Sequence, residues 1–283
     1  MHSVNWNYPT SIRFGCGRLA EVDECCLSLG MKKPLLVTDA GLAALPLVTE
    51  LLGKHPHFGL FSEVRPNPIG ANVSAGVEVY RRGGHDGVIA MGGGSALDVG
   101  EAVALMVAQQ RPHWDLEDVG DNYKRANEVA MAPVVAVPTT SGTGSEVGRC
   151  SVITDESTQT KRIIFHPRML PGLVLADPDT TLGLPPKITA AVGMDALSHN
   201  LEAWFSPFHH PMADGIALEG CRLVAKSLVK AYQDGSDRQA RADMMAASTM
   251  GAVAFQKGLG AMHSLAHPIG ALFDTHHGLT NAV

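Results

Sequence analysis

Two pairs of metal-type side chains, each four residues apart, stand out in the last third of this chain. Asp195 and His199 lie in Met-Asp-Ala-Leu-Ser-His, and His263 and His267 in His-Ser-Leu-Ala-His, with His276 and His277 shortly after. On a helix, a four-residue spacing puts both members of a pair on one face about a turn apart, so two such faces can converge on one cation. One carboxylate with neutral imidazoles suits divalent iron or zinc and leaves positions open for a substrate oxygen. The competing explanation is coincidence: a chain with 13 histidines produces some such spacings, and a helical histidine is more often a surface or hydrogen-bonded core residue. A hydrolytic zinc site is disfavoured, because His-Ser-Leu-Ala-His lacks the glutamate of an H-E-x-x-H protease.

A second constellation is Gly92-Gly93-Gly94-Ser95-Ala96-Leu97-Asp98, where an apolar strand gives way to a helix. Consecutive glycines let the backbone approach a diphosphate, and the free N–H groups of the helix start favour its charge. Leu97 breaks the G-x-G-x-x-G pattern, so a flexible turn is the alternative. Pro138 to Glu146 (Pro-Thr-Thr-Ser-Gly-Thr-Gly-Ser-Glu) follows another apolar strand with hydroxyls and backbone N–H groups, and reads otherwise as a polar turn with an N-cap. Two such loops at the carboxyl ends of strands favour a nucleotide crevice. Asp39, ending an earlier strand, can accept from ribose hydroxyls and repel a 2'-phosphate, which favours NAD over NADP; it can equally be a helix N-cap.

The elements that must hold these groups are legible in the apolar pattern. Pro34–Thr38, Asp86–Met91 and Pro133–Val137 read as buried strands, and Leu42–Leu52, Ala71–Arg82 and Ser95–Val107 as helices. Alternation of this kind implies a parallel, Rossmann-like sheet covered by helices. After Leu173–Ala176 and the Pro-rich stretch Asp177–Pro186, helices are expected over Thr189–Trp204, Pro211–Tyr232, Arg238–Phe255 and Ala261–Leu272. The expectation is an α/β domain over 1–180 followed by an all-α domain over 181–283.

Composition bounds the function. With 45% hydrophobic and 18% charged residues, 283 residues can bury a substantial core. A net charge of -6 without Lys/Arg blocks argues against nucleic acid as a partner. Cys16, Cys25, Cys26, Cys150 and Cys221 are odd in number and without C-x-x-C spacing, as expected of reduced thiols. The start (Met-His-Ser-Val-Asn-Trp-Asn-Tyr-Pro) lacks the pattern of a leader, and no apolar stretch approaches the ~18 residues of a membrane span, so a cytoplasmic chain is expected.

Taken together, Gly92–Asp98, Pro138–Glu146, Gly193-Met-Asp-Ala-Leu-Ser-His199, Gly258–His267 and Asp274-Thr-His-His-Gly278 resemble the iron-containing (group III) alcohol dehydrogenases over the whole chain. The resemblance implies a dehydroquinate synthase-like architecture and hydride exchange between an alcohol or aldehyde and NAD, with iron, or zinc, as Lewis acid. It implies Asp195, His199, His263 and His277 as the ligands, with His267 beside the metal, near nicotinamide and substrate. His267 is then the candidate for relaying the alcohol proton, since an imidazole titrates near neutrality. It also implies that Asp39, Gly92, Gly93, Gly94, Ser95, Asp98, Thr139, Thr140, Ser145 and Lys161 line the NAD site, with Pro66 and Asn67 close by. A homo-oligomer, a homodimer in the first instance, is expected. Arg149 is read either as a surface ion pair or as a group for a substrate carboxylate or phosphonate. Family members continue for several helices beyond the point where this sequence ends, which implies exposed apolar faces and poor stability, or cover by a partner chain. Two rival functions share these features: a zinc-dependent polyol or sugar-phosphate enzyme of the same fold, and a non-catalytic remnant that binds NAD.

Overall fold

Short apolar runs such as Leu-Leu-Val-Thr, Val-Ile-Ala-Met and Val-Val-Ala-Val cannot face water on either side, and each becomes a strand buried within one sheet. A computed structural model describes residues 10–283; the stretch on which the leader expectation rests lies outside the described residues. The strands are β1 (Ser11–Phe14), β2 (Leu35–Asp39), β3 (Gly59–Val64), β4 (Val88–Gly92), β5 (Val134–Pro138), β6 (Cys150–Asp155), β7 (Thr160–Phe165) and β8 (Leu173–Ala176). Six of them form a sheet in the order β1-β8-β5-β4-β2-β3 with every pairing parallel, while β6 and β7 form a separate antiparallel hairpin.

Alternate strand residues serve opposite faces of the sheet. Leu36, Ile89, Met91, Val135 and Val137 pack on α1 (Val22–Ser28) and α3 (Pro46–Lys54), which follows the short α2 (Ala40–Ala43). Val37, Val88, Ala90 and Ala136 share a core with Val73 and Val77 of α4 (Gly70–Gly83) and with Val99 and Val103 of α5 (Gly94–Met106). The connection from β2 runs outward to β3 and that from β4 runs the other way to β5, so the adjacent strands β2 and β4 form the point at which the winding reverses. Asp39 and the glycine turn both emerge there, at the carboxyl edge where open α/β sheets take ligands.

The second half is helical: α6 (Pro186–Phe205), α7 (Pro211–Gln233), α8 (Arg238–Ala254), α9 (Ala261–Phe273) and α10 (His277–Asn281). Small residues let α6, α7 and α8 approach closely, with Ala196, Ala231, Ala240 and Ala247 in their shared core. Asn200 of α6 donates to the carbonyls of Ala196 and Ala247 at 2.8 and 2.9 Å, tying α6 to α8. The loop after β5 joins the halves: a Cβ on Gly142 would lie 2.8 Å from that of Val192 in α6, and Glu146 accepts from Thr249 of α8 at 2.9 Å.

Several sequence expectations are corrected. The helix expected over Leu42–Leu52 is broken, because Pro46 starts α3 and forces Leu45 into an extended conformation (ψ 154°). Strands β1, β3 and the β6–β7 hairpin add to those expected from the apolar runs. Phe205, Phe208, Leu265, Leu272 and Phe273 are each about two-thirds exposed or more, so the helical half does present apolar surface. All five cysteines are free, and no helix among the described residues is long and apolar enough to cross a membrane.

Candidate metal centre and nucleotide turn

Helix α6 carries Asp195, His199 and Glu202 at spacings of four and three, hence on one buried face. His263 lies in the first turn of α9 and His277 begins α10. The side chains of Asp195, His263 and His277 meet: each imidazole Nε2 stands 3.7 and 3.6 Å, respectively, from Asp195 Oδ1, and one donor atom from each residue lies within 4.8 Å of the others. Ligand bonds of about 2.1 Å in a tetrahedron separate neighbouring ligands by about 3.4 Å, close to the two distances from Asp195 Oδ1. His199 stands outside that set of three, its ring stacked on His263 with centroids 4.4 Å apart and its Nδ1 3.3 Å from the carbonyl of Gly142.

Two residues that sequence reasoning passed over complete the cluster. Glu202 accepts from His263 Nδ1 and from the backbone N–H of Met262 at 2.7 Å, which orients the imidazole so that its Nε2 faces Asp195. The carboxamide of Asn281, one turn after His277, donates to Asp195 Oδ1 at 2.7 Å and lies 3.3 Å from Nε2 of both His263 and His277. One amide nitrogen thus lies at the meeting point of Asp195, His263 and His277. Spacing could have found both: Glu202 is three residues beyond His199, and Asn281 four beyond His277.

The electrostatics follow from burial. Burial alone would raise the Asp195 carboxyl, but His199, His263 and His277 outweigh it and hold the group far below its ordinary range. Burial lowers His277 to about 4 against the pull of Asp195, and lowers His199 as well. His263 is raised, because Asp195 and Glu202 outweigh its burial. His267 lies beside the cluster, 5.2 Å from the His277 ring and 5.9 Å from that of His263. Its expected titration near neutrality is corrected: burial, with repulsion from His263 and Lys161, brings it down to about 4. His276 is exposed and occupies the N-cap position of α10 without a side-chain capping bond.

At the sheet edge, Gly92 adopts φ 150°, in the region that favours glycine, and a Cβ there would lie 2.6 Å from Ala96. Gly93 is the N-cap of α5 without a side-chain cap; the Ala96 N–H bonds to the Gly93 carbonyl at 3.0 Å, which leaves the N–H groups of Gly94 and Ser95 for another acceptor. A Cβ on Gly94 would meet Thr143 at 2.8 Å, so the glycine turn and the Thr139–Ser145 loop form one surface that a larger residue would fill. Asp39 caps α2 through Leu42 N–H at 2.9 Å, while its other oxygen faces Gly92. Asp98 is buried, receiving Ser145 Oγ at 2.6 Å and Val152 N–H at 2.9 Å; burial raises it to about 6 despite those bonds. Thr139 is buried and Thr140 half-buried beside Gly93. Lys161 donates to Asn67 at 2.9 Å, and Asn67 donates to Asp274 at 2.6 Å, linking the hairpin to the α9–α10 turn; Pro66 is exposed next to them. Arg149 forms no ion pair among the described residues and lies over the Phe165 ring, 5.9 Å from its centroid.

Comparison with known proteins gives a consistent result. Residues 9–178 match the family model described as iron-containing alcohol dehydrogenase, and residues 189–283 that of the Fe-containing alcohol dehydrogenase family, C-terminal. The 4-hydroxybutyrate dehydrogenase of Cupriavidus necator is 39% identical over 284 residues, which cover 98% of this chain and 74% of that one. The crystal structure of a 1,3-propanediol oxidoreductase superposes with a TM-score of 0.92 at 36% identity, covering all of this chain and 74% of that one. Sulfoacetaldehyde reductase from Bifidobacterium kashiwanohense, solved with NAD+, superposes at 0.91 with 32% identity, covering 99% and 74%.

Proposed function

This chain belongs to the iron-containing alcohol dehydrogenase family, and on that premise we propose that it interconverts an alcohol and its aldehyde with NAD, using a divalent metal held by Asp195, His199, His263 and His277. The observation that carries the reading is the convergence of Asp195, His263 and His277 on one buried point, at spacings that suit metal ligands. His199 joins them as the fourth ligand because it shares a helical face with Asp195, and a proton on the Nδ1 that faces the Gly142 carbonyl leaves its Nε2 bare. Iron, with zinc as the alternative, suits this set of one carboxylate and neutral imidazoles.

When bound, the metal supplies Lewis acidity to the alcohol or carbonyl oxygen, and the nicotinamide accepts or returns the hydride. The protein's own residues do the remaining work. In this reading residues 1–180 bind the nucleotide: Gly92 lets the backbone turn close to the diphosphate, Gly93, Gly94 and Ser95 present N–H groups to it, and Thr139, Thr140 and Ser145 flank it. Asp98 shapes that wall by holding Ser145, and Lys161 with Asn67 closes it toward α9. Asp39 receives ribose hydroxyls, and its charge disfavours NADP. Residues 181–283 hold the metal. His267, beside the His263 and His277 rings, is the side chain placed to pass the alcohol proton outward, as a weak base because burial lowers it to about 4. The names of the relatives direct the search toward short polar alcohols and aldehydes.

The test is an alcohol and aldehyde panel on protein loaded anaerobically with iron or zinc. NADH formation that chelation abolishes, with NADP a poorer acceptor, is expected. NAD binding without turnover on either metal would identify the non-catalytic reading, and zinc-dependent turnover restricted to a polyol or sugar phosphate would identify the other enzyme class.

A further inference from the structure

A second group of metal-type donors lies away from the cleft. Asp23, in the first turn of α1, faces the turn His55-Pro56-His57-Phe58 that leads from α3 into β3. His57 Nε2 is 3.1 Å and His55 Nδ1 3.8 Å from the same oxygen, Asp23 Oδ1, and the three donor atoms lie within 4.8 Å of one another. Those spacings bracket the ligand separation of about 3.4 Å in a tetrahedral zinc site. Because His55 offers Nδ1 and His57 Nε2, the convergence is not a repeat of one local geometry.

The imidazoles are held in place. Phe58 N–H bonds to the carbonyl of His55 at 2.9 Å, and Pro56 restricts the backbone between the two histidines. The buried Phe58 ring stacks under His55 at 4.8 Å (12°) and meets His57 edge-on at 4.7 Å (76°). Both rings therefore lose little rotamer freedom when a cation binds. A simple ion pair would need only one imidazole against Asp23, whereas here two aim at a single carboxylate oxygen. The outer side is open, with Asp23 and His57 side chains 37% and 42% exposed, which leaves room for water to complete the shell.

We propose that Asp23, His55 and His57 bind a divalent transition metal of the zinc type, in an exchangeable surface site that clips α1 to the turn before β3. The turn precedes a strand of the parallel sheet, so it lies at the edge opposite the glycine turn, and the site is separate from the Asp195 cluster. Its ion exchanges with solvent and takes no part in the reaction.

The test counts zinc by mass spectrometry after iron-loaded protein is dialysed against dilute zinc at neutral pH, comparing wild type with the double variant His55→Gln/His57→Gln. Wild type is expected to retain about one more zinc ion per chain than the variant, and a zinc-induced rise in Tm is expected to disappear with the substitutions. The variant keeps wild-type iron content and turnover. Equal zinc uptake by the two proteins, with the variant folded by circular dichroism, overturns the proposal; so does retention of the extra ion by Asp23→Ala. Exchange of zinc for iron at the buried centre affects both proteins alike and cancels in the difference, and loss of the alcohol dehydrogenase reading would appear in turnover instead.

Discussion

Asp195 with His263 and His277, and Asp23 with His55 and His57, offer a cation the same donor types at similar spacings, one inside the protein and the other on its surface. The buried set is surrounded by supporting bonds: Glu202 orients His263, and Asn281 satisfies Asp195. A carboxylate taken out of water must be compensated, and the same exclusion of water strengthens any field exerted on a substrate oxygen. The surface set needs no such support because water supplies it, and for that reason it can hold an ion but has little power to activate a substrate. Donor geometry thus identifies where a metal fits, whereas burial and the surrounding hydrogen bonds identify where it does chemistry.

Replacing each aspartate is the most severe way to break this contrast. Asp195→Ala should abolish tight iron binding and lower NAD-linked turnover by roughly 10³-fold or more, as expected when a Lewis acid worth several kcal/mol is lost, while Asp23→Ala leaves turnover unchanged; iron analysis and steady-state kinetics read both. Next comes the support around the buried set. Glu202→Leu should weaken iron affinity by about 100-fold and Glu202→Gln by about 10-fold, measured by competition with a chelating dye. Asn281→Ala should destabilise the metal-free protein by about 1–2 kcal/mol, because buried acceptors lose their shared donor; denaturation with iron bound should show a smaller effect, since the cation takes over those acceptors. The smallest effect is in pH. His267 and His277 are held at about 4, below the ordinary 6.5, so the fold favours their neutral forms. Their stabilising contribution is complete above about pH 6.5 and is lost as pH falls through about 4. In the metal-free protein their imidazole NMR signals should titrate near that lower value, and titration near 6.5 would contradict the burial argument.

Much of this organisation is legible in the amino-acid sequence. Strands β2, β4 and β5 announce themselves as unbroken apolar runs, since strands buried on both faces have no polar alternation. Pairs at four-residue spacing show which side chains share a helical face. The edge strand β3 escapes notice because its half-exposed pattern is weak, and the β6–β7 hairpin because its mixed polar and apolar residues resemble a continuation of the polar loop after β5. Glu202 and Asn281 sit at readable spacings, yet a glutamate or asparagine on a helix is ordinarily solvated, and only packing of α9 and α10 on α6 turns them inward. For Asp39 the local sequence allows either a cap or a ribose acceptor; in the fold one oxygen caps α2 and the other faces the glycine turn.

The most direct measurement is X-ray absorption at the iron edge of the loaded protein, made in the His55→Gln/His57→Gln background so that the surface donors contribute nothing. A shell of nitrogen and oxygen with imidazole scattering, lost together with NADH formation in Asp195→Ala, is the predicted result. Iron held with an unchanged spectrum after that substitution would contradict the assignment of the buried cluster as the catalytic centre.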